Sequence, residues 1–265
     1  IKMYNPFNII SSFRFSFLPP LMIYLAAGVS GLSNIVGLFF VKEYLDLSAA
    51  FLAGLGFWAG LPWVLKMTLG HIVDLIWKFK SILVFFGAFI MAISSLIMYF
   101  LIAHKSEMIA ILNAETWFII STLLAPIGFV LQDVVADALT VEAIPKTDEQ
   151  GNEIDFKTLK SLNIVMQLLG RVSIISGTLL VSLVNLMMFS DSSEMSENEK
   201  IITYGKIYLY SLIVPGISVI GVLFSYINSK SRLNELIKNG LAFEKAHNLI
   251  YPITKINKHN PSIII

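Results

Sequence analysis

The chain has no cysteine, and only 14% of its 265 residues are charged. The first absence excludes a disulfide framework, a thiolate metal site and a thiol nucleophile. The second argues against an ordinary soluble domain, in which charged side chains make up about 25% of the residues. Histidine is scarce as well: His71, His104, His247 and His259 fall in different loops, without the spacing of metal ligands. No nucleophile–base set and no glycine-rich phosphate loop is visible. An enzyme is therefore not expected, and no cofactor or metal is implied. A net charge of +1 gives no basic surface to argue from, and nucleic acid is not expected as a partner.

What the chain does have is hydrocarbon. It is 56% hydrophobic, with a mean hydropathy of +0.75. Crossing a bilayer takes about 20 mainly apolar residues, and six such runs are present. They cover roughly Leu21–Val41, Ala49–Ile76, Ser81–Ala103, Trp117–Val141, Leu159–Met188 and Ile207–Ile227. Charges cluster between the runs. The expectation is an all-α, multi-pass integral membrane protein with three parts: an N-terminal segment over 1–20, a six-helix bundle over 21–228, and a segment over 229–265. The last part includes SRLNELIKNGLAFEKAHNLI, whose alternating charged and apolar character suits a short helix at the membrane surface. The first run is too long, and too closely followed by others, for a cleaved signal peptide. Ile1 is not an initiator residue, so the chain is expected to be a piece of a longer one.

Lysine and arginine orient the bundle. With the N-terminus in the cytoplasm, the inner segments hold 13 basic residues and the outer loops four (Lys42, Lys105, Lys200 and Lys206). The tail then also lies inside, and the acidic SDSSEMSENEK loop lies outside. Short loops favour a bacterial inner membrane over an organelle membrane.

The runs differ in polarity. The third and sixth contain no ionisable group apart from tyrosine, which suits lipid-facing positions or, in the plainer reading, packing in a helical core. The others carry polar stripes at helical spacing: Ser30, Ser33, Asn34 and Gly37 in the first; Pro62, Lys66, Gly70 and Asp74 in the second; Asp133 and Asp137 in the fourth; Asn163, Gln167 and Arg171 in the fifth. Gly54, Gly60, Gly170 and Gly177 read as close-packing positions. At 1.5 Å per residue, Lys66 lies roughly 12 Å from the inner face, Asp133 roughly 13 Å and Arg171 roughly 16 Å. All three are near the middle of a hydrocarbon core about 30 Å thick. Unpaired charge there is costly, so these groups face the bundle interior or water. One reading is a purely structural Asp133–Arg171 salt bridge. Another is a solute or proton pathway, in which Lys66 and Arg171 against the deep Asp133 leave a positive surplus for an anionic solute. Lys66 can also snorkel or pair with another carboxylate. Asp137, closer to the inner boundary, reads as a proton site, as a gate partner of Lys157 or Lys160, or as a plain ion-pair member. The D-x-x-x-D spacing alone would also suit a magnesium–pyrophosphate site, but the neighbouring groups are cations.

Four stretches carry a family resemblance. Six spans in this polarity pattern, with Gly70-His71-Ile72-Val73-Asp74 followed by Lys78 and Lys80, resemble one half of a major facilitator carrier and its cytoplasmic gating motif; Trp77 stands where a second glycine is common. QDVVADALTVE, Gln132 to Glu142, is similar to the fourth-helix motif of the folate-biopterin transporter family, close to D-V-V-A-D-x-L-V-V-E. LPWVLKMTLGHIVD, Leu61 to Asp74, resembles that family's second helix, with Met67 where proline is frequent. SLNIVMQLLGRVSIISG resembles its Gln-then-Arg fifth helix. The resemblance spans about Gly28 to Gly177. It implies the N-terminal six-helix half of a secondary transporter importing folate, biopterin or a related pterin, with protons as the coupling ion. On that view Lys66 and Arg171 meet solute carboxylates, and Asp133, Gln167 or Asn34 meets the pterin edge. Gly70, Asp74, Lys78 and Lys80 form the gate, and the partners are the solute, protons, the bilayer and a C-terminal six-helix half. Two alternatives stay open: a major facilitator carrier for another organic anion or nucleoside-like solute, and a half-size membrane interaction protein that transports nothing.

Overall fold

The structure, a computed structural model, describes residues 15–33, 36–37, 48–76, 80–144, 154–190, 195–238 and 240. Among the described residues all regular structure is helical. After a short 3₁₀ turn, Phe15–Phe17, come α1 (Leu18–Val29), α2 (Ala49–Val64), α3 (Lys66–Leu75), α4 (Lys80–Ala103) and α5 (Lys105–Ile111), then α6 (Ala114–Ala143), α7 (Phe156–Phe189), α8 (Glu197–Ser211) and α9 (Ile213–Lys238). Five helical stretches are long and apolar enough to cross a membrane: Ala50–Val73, Lys80–Ala103, Ala114–Ala143, Phe156–Phe189 and Glu197–Lys238. The sequence led us to expect a sixth at the start of the chain. There α1 is a 12-residue apolar helix, and part of the expected run after Val29 lies outside the described residues.

Local chemistry sets the helix ends. Pro19 and Pro20 occupy the first turn of α1, where a missing N–H costs nothing. Ser48, Asn113 and Asp155 cap α2, α6 and α7, each side chain accepting from a first-turn backbone N–H. Ser196 and Glu199 form a reciprocal capping box on α8. Prolines explain the breaks. Pro62 cannot donate to the carbonyl of Trp58, and the helix opens at Leu65, so that Lys66 begins α3. Pro215 likewise follows the joint at Leu212 between α8 and α9. The helix that contains the expected sixth run continues past Asn228 to Lys238, and the rest of the expected surface helix is outside the described residues.

Two glycine crossings bring helices into backbone contact. A Cβ added at Gly28 would meet the Ile174 carbonyl oxygen at 2.2 Å, and one at Gly177 would meet the Leu25 oxygen at 2.6 Å, so α1 lies directly on α7. Gly87 and Gly128 do the same for α4 and α6, each Cβ position lying 2.6 Å from the other's carbonyl oxygen. Only a residue without a Cβ permits such an approach. Two turns along, Ser94 Oγ donates to the Ser121 carbonyl at 2.8 Å and Ser121 Oγ donates to the Ser94 carbonyl at 3.0 Å. Ser211 of α8 donates to Ser95 at 2.9 Å. The larger apolar core, with Met91, Met98, Leu101, Phe118, Val181 and Ile207, fills the space among α1, α4, α6, α7 and α8. A smaller one, Phe17, Leu21, Ile144, Leu162 and Met166, closes one end.

Two packing expectations need correction. Among the described residues, Gly54 and Gly60 have nothing within 4 Å of a Cβ position, unlike Gly170 and Gly177. They lie on α2, where Leu55 is the one buried residue among those described. The third run is not simply lipid-facing: α4 packs one face tightly on α6 and turns Phe85, Phe86 and Phe89 outward. Conversely α2, α3 and α7 leave Phe57, Trp58, Val64, Met67, Ile175 and Met187 exposed. In water so much exposed hydrocarbon would be an aggregation hazard; in a bilayer it is a solvated surface. The chain divides into two compact units, 1–221 and 222–265, and everything described below belongs to the first.

Candidate functional site

Lys66 sits at the break between α2 and α3, and its side chain reaches across to α6. Its Nζ lies 2.5 Å from Asp133 Oδ2 and 2.8 Å from Asp137 Oδ2. The two carboxylates are one helical turn apart, so they share a face and one ammonium can bond both. A fourth member comes from α1: the Tyr24 hydroxyl donates to Asp137 Oδ1 at 2.6 Å. Asp137 thus accepts one bond on each oxygen. The Tyr24 ring rests on α7, where a Cβ at Gly170 would come within 2.9 Å of it. Four helices therefore meet at one polar point.

The point is partly open. The side chain of Asp133 is 15% exposed and that of Asp137 50%, with Lys66 between them at 32%. Lys66, Gly70, Val73, Val134 and Asp137 border a hollow of about 290 Å³. A second hollow of about 350 Å³, beside Glu199 and Lys206 on α8, includes none of these residues and no comparable charge cluster. The charged cluster is the better candidate, because it brings one cation and two carboxylates from two helices together beside one hollow.

The remaining sequence candidates divide plainly. Gly70 faces Val134 of α6 at 4.0 Å from its Cβ position, so α3 packs closely there. Lys80, at the start of α4, pairs with Glu142 at the end of α6 and ties those two helix ends together. Gln167 and Arg171 lie exposed on α7, without a hydrogen bond or ion pair among the described residues. The Arg171 charge is within electrostatic reach of Asp133 and Tyr24. Asn34, Lys78 and the side chain of Asp74 fall outside the described residues.

Among the pairings that the sequence left open, the structure selects Lys66 with the two carboxylates. Asp133 bonds Lys66 rather than Arg171. Asp137 bonds Lys66 and Tyr24, while Lys157 and Lys160 stay exposed and make no ion pair with it. The bonded cluster carries one cation and two carboxylates, so its surplus is negative rather than positive; Arg171 brings the neighbourhood to neutrality. Depth from the inner boundary misjudged Asp137, because a lysine stem is long enough to serve two carboxylates a turn apart. Tyr24 and Glu142 were missed. The signal for Tyr24 was Gly170, a gap on the facing helix of the right size for a ring.

No family model, no curated protein and no solved structure matches the chain. The fold alone gives the class: an all-helical chain with five helices long and apolar enough to cross a membrane, compatible with an integral membrane protein.

Proposed function

We propose that this chain is the N-terminal six-helix half of a major facilitator carrier of the folate-biopterin kind, which imports folate, biopterin or a related pterin together with protons, in a bacterial inner membrane. The resemblance of the second, fourth and fifth spans supplies the family. The observation that carries the mechanism is Lys66 held between Asp133 and Asp137. A bridge that only fixed helix packing would need one carboxylate; a second leaves the bonded group at −1, one proton short of neutral. One proton would bring the group to neutrality, and a group without net charge is the better tolerated in a low dielectric. A protonated cluster has a different set of hydrogen bonds, so gain and loss of a proton can be linked to helix movement.

Arg171 supports the solute side of the reading. It is exposed and makes no ion pair among the described residues, so its planar fork is free to hold a carboxylate in bidentate geometry. Gln167, one turn earlier on α7, offers both a donor and an acceptor for a pterin edge. Ligand sites usually enclose roughly 300–1,000 Å³, and the open hollow of about 290 Å³ suits a site whose other wall comes from a second bundle.

The test is uptake of labelled folate and biopterin by cells that lack their own import and express the complete gene. Wild-type protein raises uptake, and Asp133→Asn and Arg171→Ala each lower it about tenfold or more at equal membrane abundance, as expected when a charge-assisted contact is lost. Normal uptake by both variants would remove the proposed site. If another organic anion or a nucleoside competes and folate does not, the chain belongs to a different carrier of the same superfamily.

A further inference from the structure

Asp133 and Asp137 share one lysine but are not equivalent. Among the described residues, Asp137 accepts from Lys66 on Oδ2 and from Tyr24 on Oδ1, whereas Asp133 accepts only from Lys66, on Oδ2. A donor on each oxygen stabilises an ionised carboxylate, and a carboxylate with fewer donors is the one that a proton joins at least cost. From this asymmetry we propose that Tyr24 is a positioning residue: it holds Asp137 to α1 and occupies its second oxygen, so that Asp133 is the carboxylate that gains and loses the proton.

The charged and titratable groups at this point come from every helix that meets there: Tyr24 from α1, Lys66 from α3, Asp133 and Asp137 from α6, and Arg171 from α7. In the step itself, a proton bonds to a carboxylate oxygen of Asp133. Lys66 remains an ammonium and keeps its bond to Asp137, and the charge of the bonded group goes from −1 to zero. Asp133 then releases its hold on α3, while Asp137 stays anchored to α1. The inference deepens the carrier reading and rests on it for its biological use, but the chemistry of Tyr24 can be tested without transport.

Dicyclohexylcarbodiimide adds to protonated carboxyl groups in apolar surroundings. Applied to the complete protein in native membranes across a pH series, with peptide mass spectrometry, it reports each aspartate separately. Wild-type protein is expected to take label at Asp133, increasingly as pH falls, with little at Asp137. Access alone would predict the opposite, because Asp137 is the more exposed of the two. Tyr24→Phe keeps the ring and deletes the donor, and should raise label at Asp137 about tenfold, the scale of one hydrogen bond to a charged group. Gly170→Ala, which crowds the ring, should move the pattern the same way. Equal labelling of both aspartates in the wild type, or an unchanged pattern in Tyr24→Phe, would overturn the proposal. Absence of folate uptake alongside the expected labelling would instead remove the carrier reading and leave the role of Tyr24 in place.

Discussion

Substituting Gly28 by alanine puts a methyl group where there is no room for one. Its Cβ would lie 2.2 Å from the Ile174 carbonyl oxygen and 2.9 Å from the Gly177 Cα, both of them backbone atoms that cannot rotate away. Restoring an ordinary contact of 3.4 Å to that oxygen moves α1 and α7 apart by about 1.2 Å. Overpacking of this kind costs about 1–3 kcal/mol, and the loss of close contact falls on a helix pair with little else than packing to hold it in lipid. The displacement also reaches the charged cluster. Tyr24 lies one turn before Gly28 and donates to Asp137 across 2.6 Å; a comparable shift takes that distance past the range of a hydrogen bond. Gly28→Ala should therefore lower the thermal midpoint of the detergent-solubilised protein by several degrees and change its carboxyl labelling in the same direction as Tyr24→Phe. Gly54→Ala is the control, since no described residue lies within 4 Å of its Cβ position, and alanine is the better helix former. If Gly28→Ala melts with the wild type, or Gly54→Ala falls as far, the account of the crossing is wrong.

Three other outcomes are expected. Lys80→Glu and Glu142→Lys should each destabilise the protein, and the double swap should recover much of the loss, because the pair joins α4 and α6 at one end; a thermal double-mutant cycle with no coupling would contradict this. Asn185 of α7 is buried with both amide atoms lacking a partner among the described residues, so Asn185→Leu should raise stability by about 1–3 kcal/mol, and a drop in the thermal midpoint would mean that the amide has a partner. The carboxyl of Asp155 is held below the usual carboxylate range by hydrogen bonds from Thr158 and, less strongly, from Lys157 as it caps α7. A depressed folded-state value contributes stability above the unfolded value and loses it as pH falls through the folded one, so the advantage of the wild type over Asp155→Ala should shrink below about pH 4; a gap that stays constant down to pH 2 to 3 (about the lower end of the carboxylate range) would rule that origin out.

How far the sequence reached depends on what each residue can signal alone. Long apolar runs announce themselves, and five of the six expected runs correspond to α2–α3, α4, α6, α7 and α8–α9. Counting residues from the loops put Lys66 and Asp133 at the same depth, and they are bonded. Partner choice was less legible. Arg171 and Lys66 are both cations near that depth, and nothing local says that the break at Leu65 turns Lys66 toward α6 while Arg171 is left exposed on α7. A tyrosine in an apolar helix reads as filler until Gly170 is seen to face it. Composition also misled about α4, because an apolar helix can still bury one face. Gly87 and Ser94, facing Gly128 and Ser121, carried that information as small residues at helical spacing on two separate runs.

In the proposed carrier, the Lys66–Asp133–Asp137 cluster couples proton movement to entry of a folate or pterin. The most direct measurement uses the complete protein in sealed vesicles with an external pH electrode. Addition of biopterin or folate should alkalinise the medium in the wild type, and Asp133→Asn should abolish that signal. Solute entry without any pH change, or an unchanged pH signal in Asp133→Asn, would contradict the account.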